Sequence, residues 1–123
     1  MHASQASHIS RADALGLWYD VTLGGVRADT PDLTARQMAV LMTVYLTCAP
    51  HTVRSLAGHL DVTKAVITRA LDALGKHGFV DRARDPRDGR SVLVQRTGRG
   101  SSYLTDFADR VRGRSRAALL ASA

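Results

Sequence analysis

Apolar residues recur with the period of an α-helix in two short segments near the middle of the chain. Two stripes share the spacing i, i+3, i+4 and i+7: Val53, Leu56, Ala57 and Leu60, then Ile67, Ala70, Leu71 and Leu74. This spacing predicts two amphipathic helices that each bury one face. Asp61 and Val62 leave room only for a tight turn, and Thr63 can cap the second helix. A helix-turn-helix and an ordinary helical hairpin both fit this pattern.

The side of the second helix that faces away from its apolar stripe is thin, polar and partly basic. It carries Ala65, Thr68, Arg69, Asp72 and Lys76, with Lys64 on the flank. Gly78 stands where a left-handed cap would end the helix. We therefore expect one buried face and one exposed, partly cationic face.

A strand-like hairpin is predicted directly after this helix. Its strands are residues 79–84 and 91–96, and the loop between them reads D-P-R-D-G-R. Pro, Gly and Asp give the loop the chemistry of a turn. A basic hairpin in this position is a wing, and it favours the helix-turn-helix over the helical hairpin. The predicted fold class is mainly α with a small β-hairpin wing, a winged helix-turn-helix.

Helices are also predicted before this unit. One begins near Ser10, carries Trp18 and Tyr19, and is expected to end at Gly24 and Gly25. We interpret the two aromatic residues as core or subunit contacts, with an effector pocket as the alternative.

The next predicted helix starts at Thr34, which forms a capping box with Gln37. Its predicted buried stripe is Met38, Leu41, Met42 and Tyr45. Pro50 is expected to stop it. Near its end lies Cys48, which we expect to be a small buried side chain rather than a redox sensor.

A last long helix is predicted after its cap, Thr97. Apolar residues share one side of it, and arginines spread round the others: Leu104, Phe107, Ala108, Val111 and Ala118, against Arg110, Arg112, Arg114 and Arg116. The apolar side has no obvious partner in so small a domain, so a subunit interface is the preferred interpretation. The expected organisation is an N-terminal dimerisation segment 1–33, a winged-helix core 34–97 and a C-terminal dimerisation helix 98–123.

The placement of charge points to an anionic partner. Seventeen Lys and Arg oppose eleven Asp, and fifteen of the basic residues are Arg. Residues 1–60 sum to zero, so the whole excess of +6 lies in residues 61–123. Nucleic acid is the first candidate; an arginine bias from a GC-rich coding sequence is the alternative, since Glu is absent. One Cys excludes an internal disulfide, and without a signal-type or membrane-length apolar run we expect a cytoplasmic, nucleoid-associated protein.

Four segments together resemble the MarR family of bacterial winged-helix transcription factors. They are L-T-A-R-Q-M-A-V-L from residue 33, T-V-R-S-L-A-G-H-L-D-V-T-K-A-V-I-T-R-A-L-D-A-L from residue 52, G-F-V-D-R from residue 78 and R-D-P-R-D-G-R-S-V-L-V from residue 84. The resemblance implies a homodimer built from the terminal helices. It implies binding to a pseudo-palindromic DNA operator, and release by a small phenolic effector or by oxidation.

Site residues follow from the resemblance by position. Five fall where the recognition helix meets DNA: Thr63, Lys64, Ala65, Thr68 and Arg69. Arg87 and Arg90 fall on the wing, and Asp85 falls where the family pairs a carboxylate with a wing arginine. Arg54 is expected to hold a phosphate. The chain departs from the family in having Asp61 where the turn usually has Gly, and in its short flanking helices.

The predicted function is sequence-specific double-stranded DNA binding that regulates transcription, most simply as a repressor. A winged-helix protein-interaction module, and a nucleoid or phage-type DNA binder without effector control, remain alternatives. Catalysis is not expected, because the chain has no Glu for a carboxylate pair, no phosphate-binding glycine motif and no clustered His. No cofactor or metal is predicted.

Overall fold

The computed structural model describes residues 9–121, with side-chain surroundings up to residue 113. Two compact units are present. One is Leu33–Thr105, and the other joins the residues up to Asp32 to those from Asp106 onward.

Five helices and three strands make up the described residues. In chain order they are α1 Arg11–Arg27, α2 Ala35–Leu46, β1 His51–Thr52, α3 Val53–Leu60, α4 Lys64–Lys76, β2 Val80–Arg84, β3 Val92–Arg96 and α5 Gly98–Ala121. The fold is mainly helical with a small antiparallel sheet, which confirms the predicted winged helix-turn-helix.

The sheet contains one strand more than the predicted hairpin. Its order is β1-β3-β2, and both pairings are antiparallel. In the hairpin Val80 lies opposite Arg96 and Arg84 opposite Val92, while His51 of β1 lies opposite Val94. Two residues are too few to show alternation, so β1 has no local signature in the sequence.

The core of the winged-helix unit is formed by the apolar stripes of α2, α3 and α4 and by the start of the hairpin. The largest fully buried side chains are Leu41, Leu56, Ile67, Leu71, Leu74, Val40 and Val44. The predicted stripe of α2 was only partly correct. Of the predicted residues only Leu41 is fully buried, and Met38, Met42 and Tyr45 are half-buried. Val40 and Val44, which were not predicted, are buried with Leu41 in the core.

Tyr45 ties three segments of this unit together. Its hydroxyl oxygen lies 2.8 Å from the carbonyl oxygen of Phe79 and 3.0 Å from that of Thr97, and it accepts from the Thr97 amide at 2.8 Å. Thr97 caps α5 as predicted, since its hydroxyl accepts from the amide of Gly100 at 3.0 Å. The first turn of α5 is therefore anchored to α2 and to the end of α4.

The second unit corrects two expectations for α1. The helix does not end at Gly24 and Gly25 but continues to Arg27, where the Ala28 amide donates to the Gly24 carbonyl. Glycine inside a helix costs about 1 kcal/mol relative to Ala but does not forbid the helix. Trp18 and Tyr19 are each 61% exposed, so the interpretation of them as core residues was wrong.

Two further expectations concern the exposure of Cys48 and of the apolar side of α5. Cys48 is exposed rather than buried, because α2 ends at Leu46 and the chain after it lies at the surface. On α5, Leu104, Phe107 and Val111 are half-buried. Three residues predicted for that helix, Arg114, Arg116 and Ala118, lie outside the described side chains.

Over residues 9–121, no helix is both long and apolar enough to cross a membrane.

Candidate nucleic-acid interface

Helix α4 is fixed on its buried side and at both ends. All four residues of its predicted stripe are buried: Ile67, Ala70, Leu71 and Leu74. The Thr63 hydroxyl caps the start by accepting from the Val66 amide at 3.2 Å. At the end, Gly78 has a φ of +77°, and the Phe79 amide donates to the Leu74 carbonyl at 3.0 Å. The Gly78 amide also donates to the Gly75 carbonyl at 3.0 Å. The two bonds form a Schellman motif, so the predicted left-handed cap is confirmed.

The turn before α4 uses a left-handed residue other than glycine. Asp61 has φ 56° and ψ 49°. The Val62 amide then donates to the Ala57 carbonyl at 3.1 Å, which closes the turn. Asp adopts this conformation more readily than most residues. The departure from the usual Gly therefore leaves the helix-turn-helix geometry intact.

The outer face of α4 is open to solvent. Five of the residues assigned to DNA contact are exposed there or at its cap: Thr63, Lys64, Ala65, Thr68 and Arg69. Small side chains at Ala65 and Thr68 leave the helix backbone accessible, and Lys64 and Arg69 supply positive charge. The face can approach a polyanion closely without moving any core residue.

Asp72 lies on the same outer face but is bound to a residue of the hairpin. Its Oδ1 is 2.8 Å from Nη2 of Arg82 on β2. The helical periodicity predicts Asp72 on this face but indicates no contact with Arg82. Nothing local indicates the contact, because it depends on how β2 returns beside α4.

Arg54 occupies the first turn of α3 and is exposed. Its helix has only eight residues but begins with a complete capping box. The Thr52 hydroxyl accepts from the Ser55 amide at 3.0 Å, and the Ser55 hydroxyl accepts from the Thr52 amide at 2.9 Å. Arg54 is thus presented from a well-defined helix start.

Two aspartates shape the tip of the wing by binding its backbone. Asp85 Oδ1 accepts from the amide of Arg87 at 2.9 Å, and Asp88 Oδ1 accepts from the amide of Arg90 at 3.0 Å. Asp88 Oδ2 also accepts from the Ser91 hydroxyl at 3.1 Å. Each carboxylate holds the amide of the arginine two residues further on, as in an Asx turn. The role of Asp88 was missed, although the repeated D-x-R in the sequence could have indicated it.

The expected pairing of Asp85 with an arginine side chain is not what the structure contains. Within the described side chains, Arg87 and Arg90 form no ion pair with Asp85 or Asp88. The carboxylates stabilise the loop through main-chain amides instead, and both guanidinium groups are exposed.

An open groove of about 700 Å³ lies beside Arg69. Its walls come from the start of α2, including Arg36, and from the α3–α4 turn, including Leu60 and Val62.

Among the described residues no group of three His, Cys or Asp side chains could hold a metal ion.

The helix-turn-helix, the capped second helix and the basic hairpin define the winged-helix class of DNA-binding folds. Residues 33–92 match the model of the MarR family. This segment, close to half of the chain, is therefore a MarR-family domain.

Similar proteins agree with this placement. An uncharacterized HTH-type transcriptional regulator, YkoM of Bacillus subtilis, is 34% identical over 68 residues, which are 55% of this chain and 44% of YkoM. The HTH-type transcriptional repressor YetL of the same organism is 40% identical over 52 residues, 42% of this chain and 31% of YetL. The chain thus matches less than half the length of either protein.

A solved structure shares the fold at low sequence identity. A variant of S. aureus MepR bound to an oligodeoxyribonucleotide superposes with a TM-score of 0.78 at 18% identity. The match covers 92% of this chain and 80% of the MepR chain.

Proposed function

We propose that this protein is a transcriptional regulator that binds a pseudo-palindromic double-stranded DNA operator as a homodimer, most simply as a repressor. One observation carries the proposal. A helix locked by four buried residues presents a small, polar and basic outer face, next to a wing whose arginines are exposed while the neighbouring carboxylates are engaged with the backbone. YetL is named a repressor and the MepR variant was solved with DNA, which supports this direction.

The outer face of α4 is suited to the major groove, which admits an α-helix. Arg69 or Lys64 would form bidentate contacts with guanine edges. Thr68 would use its hydroxyl or its methyl group, and Ala65 is small enough for contact with a thymine methyl. These residues would read sequence.

Other arginines would position the protein. Arg54 and the wing arginines would bind phosphates and supply most of the salt-dependent affinity. Arg87 at the wing tip would enter the adjacent minor groove, where a narrow AT-rich segment attracts arginine.

A second copy of the chain would bind through α1 and α5. Leu15, Trp18, Tyr19 and Val26 are 72%, 61%, 61% and 65% exposed. They fall at i, i+3, i+4 and i+11, so they form one apolar stripe on α1. A stripe of large apolar side chains marks an interaction surface. In this proposal segments 1–33 and 98–123 dimerise, and two half-sites lie about 34 Å apart on the DNA. Trp18 and Tyr19 would form that contact or line an effector pocket.

The experiment begins with selection of bound fragments from genomic DNA at physiological salt, and a palindromic motif is the expected result. Affinity for the selected DNA is then measured against salt. A steep linear fall of log affinity with log salt concentration is expected for a protein that neutralises several phosphates. Weak, salt-insensitive binding would instead indicate a protein-interaction module.

Arg69→Ala tests the assignment of base reading. Discrimination at one operator position should fall by about 1 to 3 kcal/mol, with smaller losses on unrelated DNA. Unrelated DNA is the control, because the loss of one positive charge weakens binding to every sequence alike. A uniform loss on all sequences in Arg69→Ala would show that Arg69 contacts phosphate only.

A further inference from the structure

Asp72 is an acidic residue on the outer face of α4, which otherwise carries small, polar and basic side chains. It lies three residues after Arg69 and four before Lys76 on α4. Side chains at these spacings are neighbours on a helix, and Asp placed four residues before Lys is in the favourable order for an ion pair. Asp72 therefore has two basic side chains of its own helix within reach.

The structure gives Asp72 a different partner. Arg82 of β2 brings Nη2 to 2.8 Å from the Asp72 carboxylate, whereas the described residues contain no ion pair between Asp72 and Arg69 or Lys76. Gly75 lies on the same side of α4, and a Cβ built there would be 4.0 Å from Nη2 of Arg82. This is an ordinary van der Waals distance, so the guanidinium of Arg82 lies against the side of α4 at Gly75.

We propose that Arg82 is a positioning residue for DNA reading, which binds Asp72 and thereby keeps Arg69 available for a base. This role rests on the proposed DNA-binding function. Without Arg82, the Asp72 carboxylate would pair with Arg69 or Lys76, or face the DNA phosphates as an unpaired negative charge. Both outcomes weaken specific binding, and the phosphate repulsion is screened by salt.

The size of the effect follows from the exposure of the pair. The side chains of Arg82 and Asp72 are 35% and 53% exposed. An exposed ion pair formed with Arg69 would compete with DNA by about fivefold at most. We therefore expect a moderate loss of affinity, concentrated on the base that Arg69 reads.

A double-mutant cycle separates this role from direct DNA contact. Wild type, Arg82→Gln, Asp72→Asn and the double variant are titrated against the selected operator and against the same DNA with the Arg69-contacted base changed. Arg82→Gln should bind the operator more weakly, by up to about fivefold, and discriminate less between the two DNAs. Asp72→Asn should bind as well as wild type or more tightly. The affinity of the double variant for the operator should be within about twofold of that of Asp72→Asn, because neither variant has a carboxylate at position 72 that could pair with Arg69.

Three results would overturn the role of Arg82. A double variant as weak as Arg82→Gln would show that Arg82 contacts DNA itself. Equal losses on both DNAs in Arg82→Gln would show a general effect of charge or folding. Arg82→Lys keeps a charge that can pair with Asp72, so it should restore discrimination. If it does not, and the melting temperature of the variant is lowered, Arg82 has a role in the fold and not in positioning.

The failure of this role can be distinguished from failure of the proposed function. If wild type shows no salt-dependent DNA binding, the proposed function fails and this role fails with it. If wild type binds DNA normally but the double-mutant cycle shows no effect, only the role of Arg82 is wrong.

Discussion

Gly100→Ala should destabilise the protein although it replaces a glycine inside a helix. In open helical positions Ala is preferred over Gly by about 1 kcal/mol. At this position a Cβ would lie 2.8 Å from Cζ of Tyr45 and would overlap both the Tyr45 hydroxyl and the Phe79 carbonyl oxygen. Real Cβ atoms do not approach other atoms so closely, so either Tyr45 or the first turn of α5 must move.

The cost is the loss of what Tyr45 holds together. Displacing its hydroxyl breaks a bond accepted from the Thr97 amide and one donated to a carbonyl of Phe79 or Thr97. Each hydrogen bond contributes about 1 kcal/mol, and overpacking adds about 1 to 3 kcal/mol. After subtracting the helix preference for Ala, we expect the free energy of unfolding to fall by about 3 kcal/mol.

Urea denaturation followed by circular dichroism measures this directly. Gly58→Ala is the control, because Gly58 lies within α3 in the same unit and a Cβ there would meet nothing within 4 Å. It should raise stability by up to about 1 kcal/mol. If Gly100→Ala proved as stable as Gly58→Ala, the close packing of α5 against Tyr45 would be wrong.

Two other predictions test the turn and the apolar stripe. Asp61→Ala should lower the free energy of unfolding by about 1 kcal/mol, because Ala lacks the local hydrogen bonding that helps Asp adopt a positive φ. Asp61→Gly should be at least as stable as Asp61→Ala when both variants are measured in the same urea titration. Trp18→Asp should shift the protein from dimer to monomer in sedimentation equilibrium, because it places a charge in the proposed subunit contact. Leu46→Asp is its control, since Leu46 is also an exposed apolar residue, at 76%, but lies in the winged-helix unit. A dimer equally weakened by both substitutions, or by neither, would argue against the α1 stripe as the interface.

The parts of the fold that depend on local periodicity could be predicted from the sequence. The stripes of α3 and α4, the caps at Thr34, Thr63 and Thr97, and the left-handed Gly78 all follow from residue types at fixed spacings. Each involves residues no more than about two helical turns apart. The tertiary structure had little freedom to alter them.

The rest required contacts between distant segments. β1 exists because His51 and Thr52 meet β3 some forty residues later, and the Asp72–Arg82 pair exists because β2 returns beside α4. Exposure was equally hard to predict for Trp18, because an apolar side chain can be covered by its own core or by another molecule, and its spacing is the same in both cases.

At the wing, the sequence correctly indicated that an aspartate stabilises the loop, but it did not indicate which group the aspartate binds. A carboxylate beside an arginine suggests an ion pair, but Asp85 and Asp88 can reach a main-chain amide two residues away at much lower cost in side-chain entropy. The short local bond therefore forms in preference to the charge pair.

Three carboxylates near the proposed DNA surface are thus each committed to another group. Asp72 is bound to Arg82, and Asp85 and Asp88 are bound to wing amides. An unengaged carboxylate on this surface would repel phosphates and compete for the arginines that face them. Because these negative charges are engaged within the unit, Arg69, Arg87 and Arg90 can dominate the local potential. These three acidic residues therefore shape the proposed DNA surface, and the arginines give it its positive charge.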